Sequence, residues 1–197
     1  YRIDREHAQR VAAMATALLR AGRPHAERSA RQQVERAALL HETGFSVSHT
    51  GFHKHGAYIL RNADMPGFSA GEQERLSWLV LGCRGGLDRG SPLPPDPEFR
   101  AQLCALRLAV LFHHARRPIA LPRLALEAGR TIRFDVPGRW LAAHPLTDHL
   151  LQKEAGEWRE RGFRWRKPRC SCGCNAETDE IRGYHGADHA TRRRRLP

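Results

Sequence analysis

The sequence predicts a mainly α protein: a bundle of helices, then a small α+β unit of hairpin, helix and strand, then a disordered basic tail. Apolar residues recur at intervals of three and four as far as about residue 117, the spacing of one helix face. The period then switches to strict alternation, the signature of strands with one buried face. Beyond residue 167 periodicity is lost. The chain accordingly divides into 1–118, 119–167 and 168–197.

The first helix is predicted from about Asp4 to Arg20, where Ile3, His7, Val11, Met14 and Leu18 share a face, so His7 rides on the buried stripe. The second, about Ser29 to Glu42, aligns Val34, Ala38 and His41 and meets a stop signal at Gly44. His55 to Arg61 reads as a short helix ending before the turn-forming run Asp64-Met65-Pro66-Gly67. Ser69-Ala70-Gly71-Glu72 is a capping box, in which the Ser hydroxyl and the Glu carboxylate each satisfy an orphan N–H. It opens a helix through Leu76, Leu79, Val80 and Cys83. A Gly/Pro-rich loop, Gly85 to Pro95, leads to Asp96-Pro97, an N-cap followed by Pro at the first helical position. Phe99, Leu103, Leu106 and Val110 are the stripe of this fifth helix, which is expected to end near Arg117.

Leu124 and Leu126, then Ile132, Phe134 and Val136, flank Glu127-Ala128-Gly129-Arg130 and read as a β-hairpin. A helix from about Thr147 to Arg161 stops at Gly162, and Phe163 to Arg166 can return as a third strand against the hairpin. From Pro168 the glycines and the run Arg192 to Arg195, without apolar periodicity, predict disorder. There is no internal repeat.

A formal net charge of +12 calls for a polyanionic partner: nucleic acid, anionic lipid or a phosphate polymer. From Arg164 onward nine Lys or Arg face four Asp or Glu, a net +5, which leaves +7 for the residues before it. The body is therefore basic in its own right. No apolar run approaches the roughly 20 residues of a membrane-spanning helix, so no transmembrane segment is expected. Cys83 and Cys104 sit in helical apolar stretches, apart from the cluster Cys170, Cys172 and Cys174; this is no disulfide framework, and the cytoplasm is expected. A start at Tyr1, without Met or leader pattern, predicts a piece of a longer protein.

The stretch from Ala37 to Gly44, AALLHETG, followed by Ser48 to Ser69, SHTGFHKHGAYILRNADMPGFS, closely resembles the C-terminal region of the exopolyphosphatase and guanosine pentaphosphate phosphohydrolase family. The likeness continues through Leu79-Val80-Leu81-Gly82, the fifth helix, and Pro145-Leu146-Thr147 to Phe163, covering roughly Tyr1 to Lys167. The resemblance implies an HD-domain-like helical bundle followed by a small α/β unit. It also implies a parent enzyme that releases terminal phosphate from inorganic polyphosphate or converts pppGpp to ppGpp. In the family the chemistry belongs to two actin-like N-terminal domains that bind Mg²⁺, and the C-terminal region helps to form a homodimer and a basic channel. This chain, lacking those domains, is expected to be inactive alone, with no catalytic residue and no cofactor of its own.

A working HD site needs a His, an adjacent His-Asp pair and a later Asp converging on one cation. Here the matching positions are His7 and the pair His41-Glu42, while the late helix reads Leu108-Ala109-Val110-Leu111, so one carboxylate is gone and another has become Glu. These residues are read as a degenerate metal site, with His7 and His41 expected to be buried histidines bonded to neighbours and no metal held. His53, Lys54 and His55 form a cationic cluster just before the third helix and are the best candidates for contact with polyphosphate or pppGpp. Arg84 and Arg61 are candidates to extend it, although lone surface arginines commonly serve only to solvate a face. Cys83 stands where family members often have His. In the tail, Cys170, Cys172 and Cys174 with His185 and His189 hint at zinc, but C-x-C-x-C is not the usual knuckle spacing. Two other functions compete: a stand-alone metal-dependent HD phosphohydrolase, and a basic nucleic-acid binder driven by the arginine run, for which no aromatic platform supports specific recognition.

Overall fold

The computed structural model describes residues 3–87, 94, 96–120, 125–128 and 131–166. The protein is mainly α, with the small unit following the bundle. Five helices come first: α1 (Arg5–Gly22), α2 (Arg28–Leu40), α3 (Phe52–Asn62), α4 (Ala70–Gly82) and α5 (Pro97–Phe112). A 3₁₀ turn, Thr43–Ser46, separates α2 from α3. The small unit contributes β1 (Ala125–Ala128), β2 (Thr131–Asp135), α6 (Gly138–Ala142), α7 (Pro145–Glu160) and β3 (Arg164–Arg166).

The apolar stripes read from sequence are the faces that meet. Val11, Ala15, Leu18 and Leu19 of α1 bury against α2 and α5, and alanines at 8, 12, 15, 30, 37 and 38 keep the α1–α2 approach close. α4 starts at the capping box: Ser69 Oγ accepts from Glu72 N at 3.3 Å while a Glu72 carboxylate oxygen accepts from Ser69 N at 2.9 Å. Asp96 caps α5 through Phe99 N at 2.6 Å, with Pro97 at the first helical position.

β1 pairs antiparallel with β2, as the hairpin reading requires, while β3 joins the other side of β2 in parallel, giving the order β1-β2-β3. Ile132 and Phe134 alternate inward. The inner face of the sheet closes the ends of α1 and α5: Phe134 meets Phe112 edge-on at 5.6 Å, and Gly22 lies so close to the Leu126 carbonyl that a Cβ would come within 2.6 Å of its oxygen. Bundle and small unit thus share one buried core.

Three boundaries and one added element differ from expectation. α2 ends at Leu40, because Gly44 packs its backbone on the first turn of α3, where a Cβ would overlap the Phe52 carbonyl oxygen. α3 begins at Phe52, with Gly51 as a left-handed N-cap (φ 67), so His53, Lys54 and His55 occupy its first turn and do not precede it. α5 ends at Phe112, with the chain turning through Arg116 at φ 57. The short α6 was not expected; its Trp140 stacks between Phe112 and His144. Among the described residues no helix is long and apolar enough to cross a membrane. The expectations for residues 168–197, including the zinc hint and the arginine run, lie outside the described residues, as do Leu124 and Gly129-Arg130.

Candidate functional site

Two groups of chemistry-bearing side chains form, on opposite sides of the 3₁₀ turn in sequence. The first gathers His7, His41 and Glu42, all buried, with one ligand atom from each within 4.8 Å of the others. His7 is placed by the first turn of α1, which Asp4 caps by accepting from His7 N at 3.0 Å. His41 follows the last turn of α2, its Nδ1 lying 2.6 Å from the Ala38 carbonyl oxygen. That carbonyl can only accept, so Nδ1 carries the proton and Nε2 turns its lone pair toward Glu42, at 3.9 Å. His7 Nε2 is 3.6 Å from the same carboxylate oxygen, too long for a hydrogen bond, and His7 Nδ1 is buried without a partner among the described residues.

Sequence reasoning missed two members. His113, at the end of α5, donates Nδ1–H to the Ala109 carbonyl at 2.9 Å and presents its ring edge-on to His7, with centroids 6.4 Å apart. Arg116 covers the group from outside. Its guanidinium donates to both Glu42 oxygens, at 3.1 Å for Nη2 to Oε2, and reaches Asp4 at 3.4 Å. Arg10 donates to the Arg116 carbonyl at 3.0 Å, steadying the left-handed residue. His113 was legible as the next histidine on the buried stripe of α5; Arg116 was not, because the turn that returns it to Glu42 leaves no periodic trace.

Burial lowers the pKa of His7, His41 and His113 below the ordinary histidine value of 6.5, so all three are neutral imidazoles at pH 7. Glu42 already has a cation on both oxygens, and the position that would supply a later carboxylate is Val110, packed against the core. Two neutral imidazoles and one carboxylate are a metal-ligand set by type and spacing, and Arg116 is the group that holds the carboxylate here.

The second group surrounds the first turn of α3. Phe52 is buried and stacks on Phe45 at 4.2 Å, anchoring the turn. His53 is half-buried, with Nδ1 out of solvent and unpartnered among the described residues and Nε2 facing Gly85, whose missing side chain leaves room for it. Lys54 and Arg84 are exposed, His55 half-buried, and the Arg84 guanidinium lies 5.7 Å over the Phe52 ring. Burial, then the charges of Lys54, Arg84, Arg107 and His55, push the His53 pKa below its ordinary value. The structure therefore brings together His53, Lys54, His55 and Arg84. Arg61 is a correction: eight residues along α3, about 12 Å away, it pairs with Glu74 at 3.9 Å and covers Trp78. Cys83 is fully enclosed and its thiol is pushed up to about 12 by burial, so it adds no charge.

Behind Arg84 lies a buried cation that sequence reasoning also missed. Arg107 of α5 donates to the Gly82 and Gly85 carbonyls at 2.8 and 3.0 Å, and to both oxygens of Glu154 on α7 at 2.6 and 2.7 Å. Its one visible signal was a charge set among Leu103, Leu106 and Val110.

A family model described as Ppx/GppA phosphatase, domain III, matches residues 1–155.

The neutral histidines make stability depend on pH. Their pKa values are lower folded than unfolded, so below about pH 6.5 the unfolded chain takes up protons that the folded chain refuses. Their contribution is complete above that value and is lost as pH falls below it. The urea midpoint is expected to fall between pH 7.5 and pH 5, and His7→Asn to flatten the fall; a midpoint level across this interval contradicts the assignment.

Proposed function

Because the chain belongs to the Ppx/GppA phosphatase family through its domain III, we propose that it is the substrate-holding region of an exopolyphosphatase-like phosphohydrolase, with His53, Lys54, His55 and Arg84 contacting linked phosphates. The observation that carries this reading is the positive field around the half-buried His53, beside which Lys54 and Arg84 lie exposed with no ion pair among the described residues, Arg107 behind them being matched by Glu154. A chain of linked phosphates is the complement of such a patch. Arg84 offers a planar fork for two phosphate oxygens, Lys54 a mobile ammonium, and the two imidazoles short N–H donors. No side chain caps the α3 N-terminus, and its dipole adds to the attraction.

The His7–His41–Glu42 group supports a division of labour. With Arg116 on Glu42, that group balances its own charge. Binding belongs to this region, and cutting to the actin-like Mg²⁺ domains that the family resemblance implies. The substrate is inorganic polyphosphate or the 5′ phosphates of pppGpp, and the parent enzyme is a cytoplasmic homodimer.

Lys54→Ala with Arg84→Ala should weaken binding of long-chain polyphosphate about tenfold, ~1.4 kcal/mol, and flatten its salt dependence by about two phosphate contacts. Bound phosphate favours protonated His53, so affinity should rise from pH 8 to pH 5.5. Calorimetric titration measures both, and affinity indifferent to the two substitutions overturns the reading. Removing residues 168–197 should leave this affinity in place, whereas a tail-driven nucleic-acid binder loses its own.

Incubated with polyphosphate and Mg²⁺, the folded chain should release no orthophosphate. Release that disappears on replacing His41 would instead make the buried group catalytic.

A further inference from the structure

The segment that carries Arg84 has almost nothing of its own to hold it. After α4 the chain runs through Cys83, Arg84, Gly85 and Gly86 without regular structure, with residues 84–86 exposed and Gly85 left-handed at φ 87. Two adjacent glycines have the greatest conformational freedom to lose when a ligand must be met in one geometry. Cys83 and Leu87 anchor its two ends in the core, and nothing between them is buried.

The backbone polar groups of this segment are nonetheless held, and by side chains from other elements. Arg107 takes the carbonyls of Gly82 and Gly85. From α7, a Glu157 oxygen accepts from Leu87 N at 2.7 Å, and just past the helix Arg161 Nε donates to the Leu87 carbonyl at 2.8 Å. Arg107 is itself fixed by Glu154, which also accepts from Trp158 Nε1 at 2.7 Å. One face of α7 therefore grips both ends of the segment.

Glu157 is the informative member of the set. Its carboxylate lies against Gly86, two residues from the Arg84 Cα, where a polyanion would be repelled by it. Coulomb attraction alone would leave no acid there. We infer that Glu157 is a positioning residue for phosphate binding: by holding Leu87 it keeps Arg84 and Gly85 beside His53, and this gain outweighs its unfavourable charge. The inference rests on the proposed polyphosphate contact at Arg84. In physical terms, a segment ordered in advance spares the ligand the entropy of ordering it.

The sign of the charge makes the test decisive. Long-chain polyphosphate is titrated into the chain carrying Glu157→Ala, Glu157→Gln, Arg84→Ala, or Glu157→Ala with Arg84→Ala. Glu157→Ala removes a negative charge yet should weaken binding three- to tenfold, whereas electrostatics alone tightens it. Glu157→Gln keeps an acceptor for Leu87 N and should bind at least as tightly as the parent chain. In the Arg84→Ala background, Glu157→Ala should change affinity less than twofold, since its effect passes through Arg84. Should Glu157→Ala fail to fold, Glu157→Asp, which keeps the charge but shortens the reach, is expected to weaken binding as well. Binding unchanged or tightened by Glu157→Ala, or by Glu157→Asp in its place, overturns the inference. Arg84→Ala without effect overturns the contact it rests on instead.

Discussion

A guanidinium buried between α5, α7 and the end of α4 is the constraint on which the rest of the arrangement depends. Taking a charge out of water costs several kcal/mol, and about 3–5 kcal/mol is lost when one partner of such a pair is removed. Arg107 meets that cost with four hydrogen bonds, two to the Glu154 carboxylate and two to backbone carbonyls that no helix satisfies. Burial alone would lower its pKa, but Glu154 outweighs this and keeps it charged. The same pair docks α7 on the bundle and shapes the segment that presents Arg84. Folding and site geometry are thus fixed by one interaction.

Two histidine-rich groups then acquire opposite characters from their surroundings. His7, His41 and His113 are sealed among apolar helices, and the single carboxylate beside them is matched by Arg116. His41 and His113 donate to backbone carbonyls, which fixes those two rings, while His7 Nδ1 has no partner among the described residues. Around His53 the balance is reversed: cations crowd a half-exposed turn and Glu157 approaches only from behind, through the backbone of Leu87. An anion is the complement proposed for the second group, whereas the first is buried and already holds its own cation, Arg116. That contrast is the physical ground for the role proposed for this domain III of the Ppx/GppA phosphatase family.

Much of this was legible in the sequence because it follows from spacing. His7 lies on the same stripe as Val11 and Leu18, and His41 on that of Val34 and Ala38, so their convergence is a consequence of helix period. The Ser69–Glu72 box and the Asp96-Pro97 start marked α4 and α5 because both satisfy orphan N–H groups by local chemistry. What could not be read depends on backbone states or distant returns. Gly51 caps the helix in the left-handed state and Phe52 enters the core, so His53 and Lys54, expected to precede a helix that starts at His55, lie with that residue in the first turn. Arg116 reaches Glu42 and Arg107 reaches Glu154 across 74 and 47 residues of chain, pairings that leave no periodic signal. The parallel β3 likewise follows from the path of α6 and α7 and not from the alternation of its own three residues.

The central claim is that phosphate meets the His53 group and not the His7 group. The most direct measurement is an NMR titration of the imidazole ring resonances with polyphosphate of defined length. His53 and His55 should shift and move toward the protonated form, while His7, His41 and His113, closed behind Arg116, should stay where they are. Shifts confined to the buried three, with His53 unmoved, would place the ligand in the HD-like pocket and contradict the account.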